Sequence, residues 1–238
     1  MQDDHGNPML STEGTGPEFL VHALGTGFLV TKGGGVLTNH HVVEPWWKNE
    51  EISALIRQGL VPVVSRMEVY FPGSPGPLLA VTDRISSQAD LALVHVDLGG
   101  VKRQVLTFDD GDAASLRGEP VLLMGYPTGI NAALARANEP TLKEIFSSSH
   151  EELSGILTEL GRRNLIRPVI TQGHLGDVLP DEIIYDAQTA SGGSGGPLFN
   201  LKGKVIGINF AVLGDFGGSN FGIPARYAEA FLLGRTSQ

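Results

Sequence analysis

Twelve short apolar segments, each closed by a turn signal, run through the chain in two sets of six. The first set is "FLVHAL" (19–24), "TGFLVT" (26–31), "GVLTNH" (35–40), "MEVYF" (67–71), "LLAVTDRI" (78–85) and "LALVHVD" (91–97). The second is "PVLLMGY" (120–126), "RPVITQGHL" (167–175), "EIIYDAQ" (182–188), "GPLFN" (196–200), "KVIGINFAV" (204–212) and "SNFGIPA" (219–225). A polar stretch at about 101–118 separates them. Runs of this length bounded by turn residues are strand signals. Two even sets suit two packed barrels or a sandwich. Glycine supplies 32 of 238 residues, roughly double the usual share of about 7%, which also points to many tight turns.

Three segments break the pattern toward helix. Asn49 is placed to cap "EEISALIRQ", whose Ile52, Leu55 and Ile56 share one face before Gly59 ends it. "TLKEIFSSSHEELSGILTELG" (141–161) opens with a capping-box pair, Thr141 and Glu144. Its serine-rich middle is a weak helix former, so a break into two helices is open. "ARYAEAFLLG" after Pro224 reads as a closing helix.

A net charge of −9 argues against a nucleic-acid or anionic-membrane partner. The absence of cysteine excludes a disulfide framework and zinc–cysteine sites. The first residues, "MQDDHGNPMLSTEGTGPE", lack a basic stretch followed by an apolar one and read as a flexible lead-in over 1–17. No apolar run reaches the roughly 20 residues that span a bilayer. The expected compartment by default is therefore the cytoplasm, and no metal or organic cofactor is expected.

Within "TASGGSGGPLFN" (189–200), Ser194 has two glycines on each side. Such freedom suits a backbone that must approach something closely, or a nucleophile whose neighbouring N–H groups meet an oxyanion. A glycine-rich hairpin would look the same in isolation. A serine hydroxyl needs a base, and the base a group that orients it. Of seven histidines, His5, His22, His95, His150 and His174 read as surface or packed residues. His40 and His41, in "LTNHHVVE", end a strand and begin a turn. Asp90 directly precedes an apolar strand, where a carboxylate must be paired or hydrogen-bonded.

"GTGFLVTKGGGVLTNHHVV", "ADLALVHVD" and "GGSGGPLFN", in that order, resemble the trypsin-like serine peptidases, closest to the bacterial HtrA/Deg-like branch. The resemblance covers about residues 18–230 in blocks. It implies an all-β fold of two six-stranded antiparallel β-barrels of the chymotrypsin type. Barrel one would span about 18–100, the linker 101–118 and barrel two about 119–238. It further implies a serine endopeptidase acting on peptides or proteins through an acyl-enzyme, in the triad order His, Asp, Ser. By position, His41 would be the base, since the pattern T-x-x-H that starts at Thr38 ends there. Asp90 would orient it and Ser194 attack, with the amides of Gly192 and Ser194 as oxyanion hole. His40 would be structural.

The chain also departs from that family. Digestive members carry an aspartate before the serine and HtrA-like members usually an asparagine; here it is Gly193. No zymogen switch is expected, and the loop around Gly193 is expected to be looser or to form only with substrate or a partner. A latent, non-catalytic peptide-binding module is therefore the alternative. Insertions at 44–66 and 129–166 are expected near the cleft mouth, either packed on the barrels or forming a lid, partner surface or oligomer contact. Gln188, Thr189, Phe210 and Ala211 are the expected substrate pocket. With Gln188 where basic-selective members have an aspartate, it would take a small or medium apolar side chain. A PDZ domain usually follows in HtrA-like enzymes; the sequence ends at Gln238 after the closing helix, as a member without one or as the catalytic portion of something larger.

Overall fold

A computed structural model describes residues 21–150, 152–212 and 219–235, with the side chains of Ala211 and Val212 excepted. The lead-in at 1–17 lies outside the described residues. The first half forms an antiparallel five-stranded sheet from β1 (Phe28–Leu29), β2 (Gly35–Thr38), β3 (Glu68–Val69), β4 (Leu78–Ser86) and β5 (Leu91–Val96), in the order β1-β2-β5-β4-β3. The second half is a closed barrel of β6 (Pro120–Gly125), β7 (Val169–Val178), β8 (Ile183–Tyr185), β9 (Pro197–Phe199), β10 (Val205–Val212) and β11 (Asn220–Pro224), ordered β10-β11-β8-β7-β6-β9. The double-barrel architecture expected from the sequence is present. All six strands of the second set form, whereas the first lobe is a half-barrel among the described residues. Residues 21–24 of the expected first strand pair with nothing regular.

The lobes share a core because their strands alternate between two apolar faces. In β5, Leu91 and Leu93 join Phe28 and Leu37 against Phe199, Ile208 and Ile223 of the second lobe. The intervening Ala92, Val94 and Val96 pack with Leu29, Val36 and Val43 in the first lobe's own core. Leu198 and Ile206 similarly turn inward on Val121, Leu123 and Ile183. A strand buried on both faces reads as a continuous apolar run, as "LALVHV" does. Each such large aliphatic contributes about 1.5–3 kcal/mol on burial. The linker is ordered: Leu106 N–H donates to Leu29 O at 2.9 Å, and Val205 N–H to Thr107 O at 2.9 Å, so it is pinned to both lobes.

The helices follow their caps. Asn49 Oδ1 accepts the Ile52 amide at 3.0 Å and starts α2 (Glu50–Arg57), while α1 (His40–Val43) is a single turn before it. α3 spans Ile130–Leu134. The long amphipathic stretch is two helices, α4 (Glu139–Ser149) and α5 (Leu153–Arg162), parted by His150 at φ 53°. The hydroxyls of Ser147 and Ser148 bond back to Lys143 O and Glu144 O, at 2.8 and 2.6 Å, which competes with the regular helix ladder. The cap lies earlier than the Thr141–Glu144 pair suggests. Asn138 Oδ1 accepts the Thr141 amide at 3.0 Å, because Pro140 is tolerated in a first turn. Between them, α3–α5 bury Ala133, Ile145, Ile156 and Leu160 in a core of their own. The closing helix α6 (Ala225–Leu232) returns to the first lobe, where Arg84 donates to Phe231 O at 2.7 Å.

Candidate active site

The register of β2 on β5, Thr38 opposite Ala92, brings residues 39–41 beside residue 90. Asp90 takes a left-handed φ of 49°, a conformation that aspartate tolerates better than most residues. Its carbonyl and both carboxylate oxygens are then used by the segment after β2. Its carbonyl accepts the His40 amide at 3.2 Å and Asn39 Nδ2 at 3.0 Å. Its carboxylate accepts the His41 amide at 3.1 Å on Oδ1 and the His41 ring at 2.8 Å on Oδ2. A carboxylate only accepts, so His41 Nδ1 carries the proton and Nε2 is left with its lone pair. Asp90 is 16% exposed and His41 32%, so the pair sits at the edge of solvent. His40 points the other way. It is 2% exposed, held by Glu44 at 2.7 Å and stacked on Trp47 with centroids 4.2 Å apart.

Ser194 lies in the loop from β8 to β9, and the first lobe grips that loop. Thr26 N–H donates to Ser194 O at 2.8 Å, and Thr26 Oγ1 to Gly192 O at 2.7 Å. The same hydroxyl accepts the Tyr126 amide at 3.0 Å, and Thr38 Oγ1 donates to Thr26 O at 2.6 Å. From the second lobe, Asn209 O accepts the Gly195 amide at 2.8 Å, and Asn209 N–H donates to Gly196 O at 2.8 Å. The Asn209 side chain takes the hydroxyl of Tyr185, whose burial pushes its phenol far above the ordinary range and keeps it a donor. Thr26, Thr38 and Asn209 are the residues that sequence reasoning missed here. Their signal was a buried polar side chain in an apolar run, which must find partners.

Within the loop, the amides of Gly193, Gly195 and Gly196 are all used: Gly193 N–H goes to Ala190 O at 2.9 Å and Gly196 N–H to Gly193 O at 3.0 Å. Among the described residues, the amides of Gly192 and Ser194 donate to no protein acceptor. Glycine is required at two positions. Gly192 has φ +92°, with a Cβ position 2.5 Å from Tyr126 O, and Gly195 has φ +85° with its Cβ position against Thr26 O. Among the described residues no hydrogen bond joins Ser194 Oγ to His41 Nε2. Of the expected pocket, Gln188 is exposed with its carbonyl accepting Thr171 Oγ1 at 2.7 Å, and Thr189 is half-buried. Phe210 stands 6.3 Å from Phe221, centroid to centroid, and the side chain of Ala211 lies outside the described residues.

Two β lobes with a histidine–aspartate pair on one and a glycine-flanked serine on the other are the framework of a chymotrypsin-type fold. Residues 25–208 match the trypsin-like peptidase domain, and the chain belongs to that family. It is 29% identical over 208 residues to a "Probable periplasmic serine endoprotease DegP-like" of Chlamydia trachomatis serovar D, a match covering 86% of this chain and 32% of that protein. It is 31% identical over 211 residues to a protein of the same name from Pseudomonas putida, covering 85% and 32%. A serine endoprotease from Yersinia pestis has the same fold, with a TM-score of 0.59 at 18% identity, over 92% of this chain and 59% of that one. The chain thus spans about a third of the length of these curated relatives.

The cytoplasmic expectation does not stand, since these relatives are named periplasmic. Two of the three features it rested on, the lack of cysteine and the opening residues, do not discriminate, and the third, the lack of a spanning apolar run, is as compatible with a periplasmic protein. A chain without cysteine is indifferent to the redox state of its compartment. The opening residues of a sequence matching a third of its relatives do not decide where the whole protein resides.

Proposed function

We propose that the chain is a serine endopeptidase of the DegP-like type, working outside the cytoplasm, with His41, Asp90 and Ser194 as its triad. The observation that carries this reading is the selective freedom of the Gly192 and Ser194 amides in a loop whose other glycine amides are paired. His41 Nε2 takes the proton of Ser194 Oγ as that oxygen attacks the scissile carbonyl. The carbonyl oxygen becomes an anion between the two free N–H groups, each such donor contributing about 2.7–4 kcal/mol to the transition state. Protonated His41, stabilised by Asp90, then gives its proton to the leaving amine. An acyl-enzyme remains, and water activated by the same histidine releases the acid. The lack of a base–nucleophile hydrogen bond among the described residues suits a resting site, since such hydrogen bonds tighten when substrate binds. Gln188, Thr189, Phe210 and Ala211 bound the acyl-side pocket, and residues 129–166 offer a surface for a partner or a second copy.

The test is degradation of an unfolded protein followed by mass spectrometry of the fragments. Wild type is expected to yield internal cleavages, and Ser194→Ala none. Equal cleavage by both removes Ser194 from the chemistry. No cleavage by wild type, with retained peptide binding, favours a latent binding module.

A further inference from the structure

A cavity of about 790 Å³ opens beside the loop that holds Ser194, within the 300–1,000 Å³ range of ligand pockets. One wall is the inserted helix α2, through Ile52, Leu55 and Ile56, and the opposite wall is Ile130, Ala133 and Leu157 of α3 and α5. At its inner end it reaches Thr26, Val42 and Gly192. Val42 follows His41, and Gly192 carries one of the two free amides, so the inner end of the cavity adjoins the candidate active site, although His41, Asp90 and Ser194 themselves are not in its lining.

Its position fixes which part of a peptide can enter. The acyl-side pocket proposed above, from Gln188, Thr189, Phe210 and Ala211, belongs to the second lobe. The cavity lies across Gly192 from them, toward the first-lobe segment 21–27 and α2. A chain threaded through the site with its carbonyl oxygen on Gly192 and Ser194 leaves on that side. The chemistry of the lining is equally selective. Among the described lining residues the charged ones are Arg66 and Glu68, and they pair with each other at 2.5 Å. The helix itself is unfinished: α2 is capped and amphipathic, yet none of its residues is buried. Val61 and Val63, at the mouth, are 81% and 74% exposed. An apolar helix face turned to open space calls for an apolar occupant.

We propose that this cavity binds the substrate residues that follow the scissile bond and selects a large apolar side chain there. The inference rests on the endopeptidase reading above. It makes the insertion after the histidine a specificity element.

The test uses the full chain and a peptide library with one fixed acyl-side sequence and each of Leu, Phe, Gly, Ser, Asp and Lys at the first two positions after the bond. Fluorophosphonate labelling and hydrolysis of an ester with no leaving-group peptide are measured alongside. Wild type is expected to prefer Leu or Phe over Gly or Asp by about 10-fold or more in kcat/KM, a discrimination that apolar pockets reach. Leu55→Glu, at a half-buried site, is expected to bring that preference within about 2-fold, with labelling and ester hydrolysis unchanged. Ile52→Trp, which fills the space, is expected to shift preference toward Gly and Ser. A labelled wild type with a flat preference, or a preference that survives both variants, overturns the proposal. So does a flat preference accompanied by dimers that Leu55→Glu dissolves, or by a cross-link from residues 1–20 to α2. Those results give the cavity to a second copy or to the chain's own start. Absence of labelling in wild type overturns the endopeptidase reading itself, and this proposal with it.

Discussion

Thr26→Val probes how the first lobe shapes a site that the second lobe carries. The substitution is nearly isosteric and removes only the hydroxyl, which donates to Gly192 O at 2.7 Å and accepts the Tyr126 amide at 3.0 Å. Thr26 is 4% exposed, so water cannot readily replace either bond. Two lost bonds at about 1–1.5 kcal/mol each give a loss of about 2–3 kcal/mol. At about 2–4 °C per kcal/mol for a chain of this size, Tm falls by about 5–10 °C. The catalytic effect is separate. Gly192 at φ +92° is held through its carbonyl, and without that tie its amide no longer stays on the oxyanion position. Losing one donor outright costs about 100- to 1,000-fold in kcat, so partial misalignment is expected to cost about 10- to 100-fold. The assay is peptide hydrolysis below the melting range of both proteins, with calorimetry alongside. Thr26→Ser, which keeps the hydroxyl, is expected to restore most of both quantities. A Thr26→Val enzyme within twofold of wild type in kcat, or one that Thr26→Ser resembles, would refute the idea that this hydroxyl fixes the loop.

Three further outcomes are expected. Asp90→Asn keeps the hydrogen-bonding shape but presents an amide to His41 Nδ1 and stabilises the wrong tautomer; kcat is expected to fall about 1,000- to 10,000-fold with KM little changed, and a fall below tenfold argues against Asp90 as the orienting group. Gly192→Ala forces a left-handed φ and a Cβ against Tyr126 O; a loss of about 1–3 kcal/mol by denaturant titration is expected together with loss of hydrolysis, and unchanged values mean the loop relaxes freely. Glu229 has its carboxyl raised by burial, then by Asp110 and Asp109, so the folded state holds its proton more tightly than the unfolded chain does. That contribution is present below the unfolded value of about 4.3 and is lost as pH rises through the higher folded value. Glu229→Gln is therefore expected to raise Tm at pH 7 by about 1–2 °C, with the difference closing by about pH 4; an equal shift at both pH values contradicts it.

Much of this architecture is legible in the residues, and the exceptions have physical causes. Most second-lobe strands are recognisable as short apolar runs, such as β6 and β9, while β7 shows instead an alternation of buried and exposed residues. Asn49 announces α2 since nothing competes with it as a cap. Thr141 misleads because Asn138, with Pro140 behind it, starts the same helix a turn earlier. The one-turn helix α1 leaves no periodic signal in "HHVV", though it orients His41. His41, Asp90 and Ser194 stand out through pattern and order. Thr26 and Asn209 stand out less, since their partners, Gly192 O for the one and the Ser194 loop and the Tyr185 hydroxyl for the other, are set only by the fold. The sequence shows that an insertion follows His41, while the space beside it depends on where the fold sets α2 relative to α3 and α5.

The most direct measurement is fluorophosphonate labelling with the modified peptide identified by mass spectrometry, on wild type, Ser194→Ala and His41→Ala. The account predicts one adduct, on Ser194 in wild type, absent from Ser194→Ala and slowed at least about 100-fold in His41→Ala, in keeping with the loss of a general base. An adduct on another residue, or labelling of Ser194 that is indifferent to His41, would contradict it.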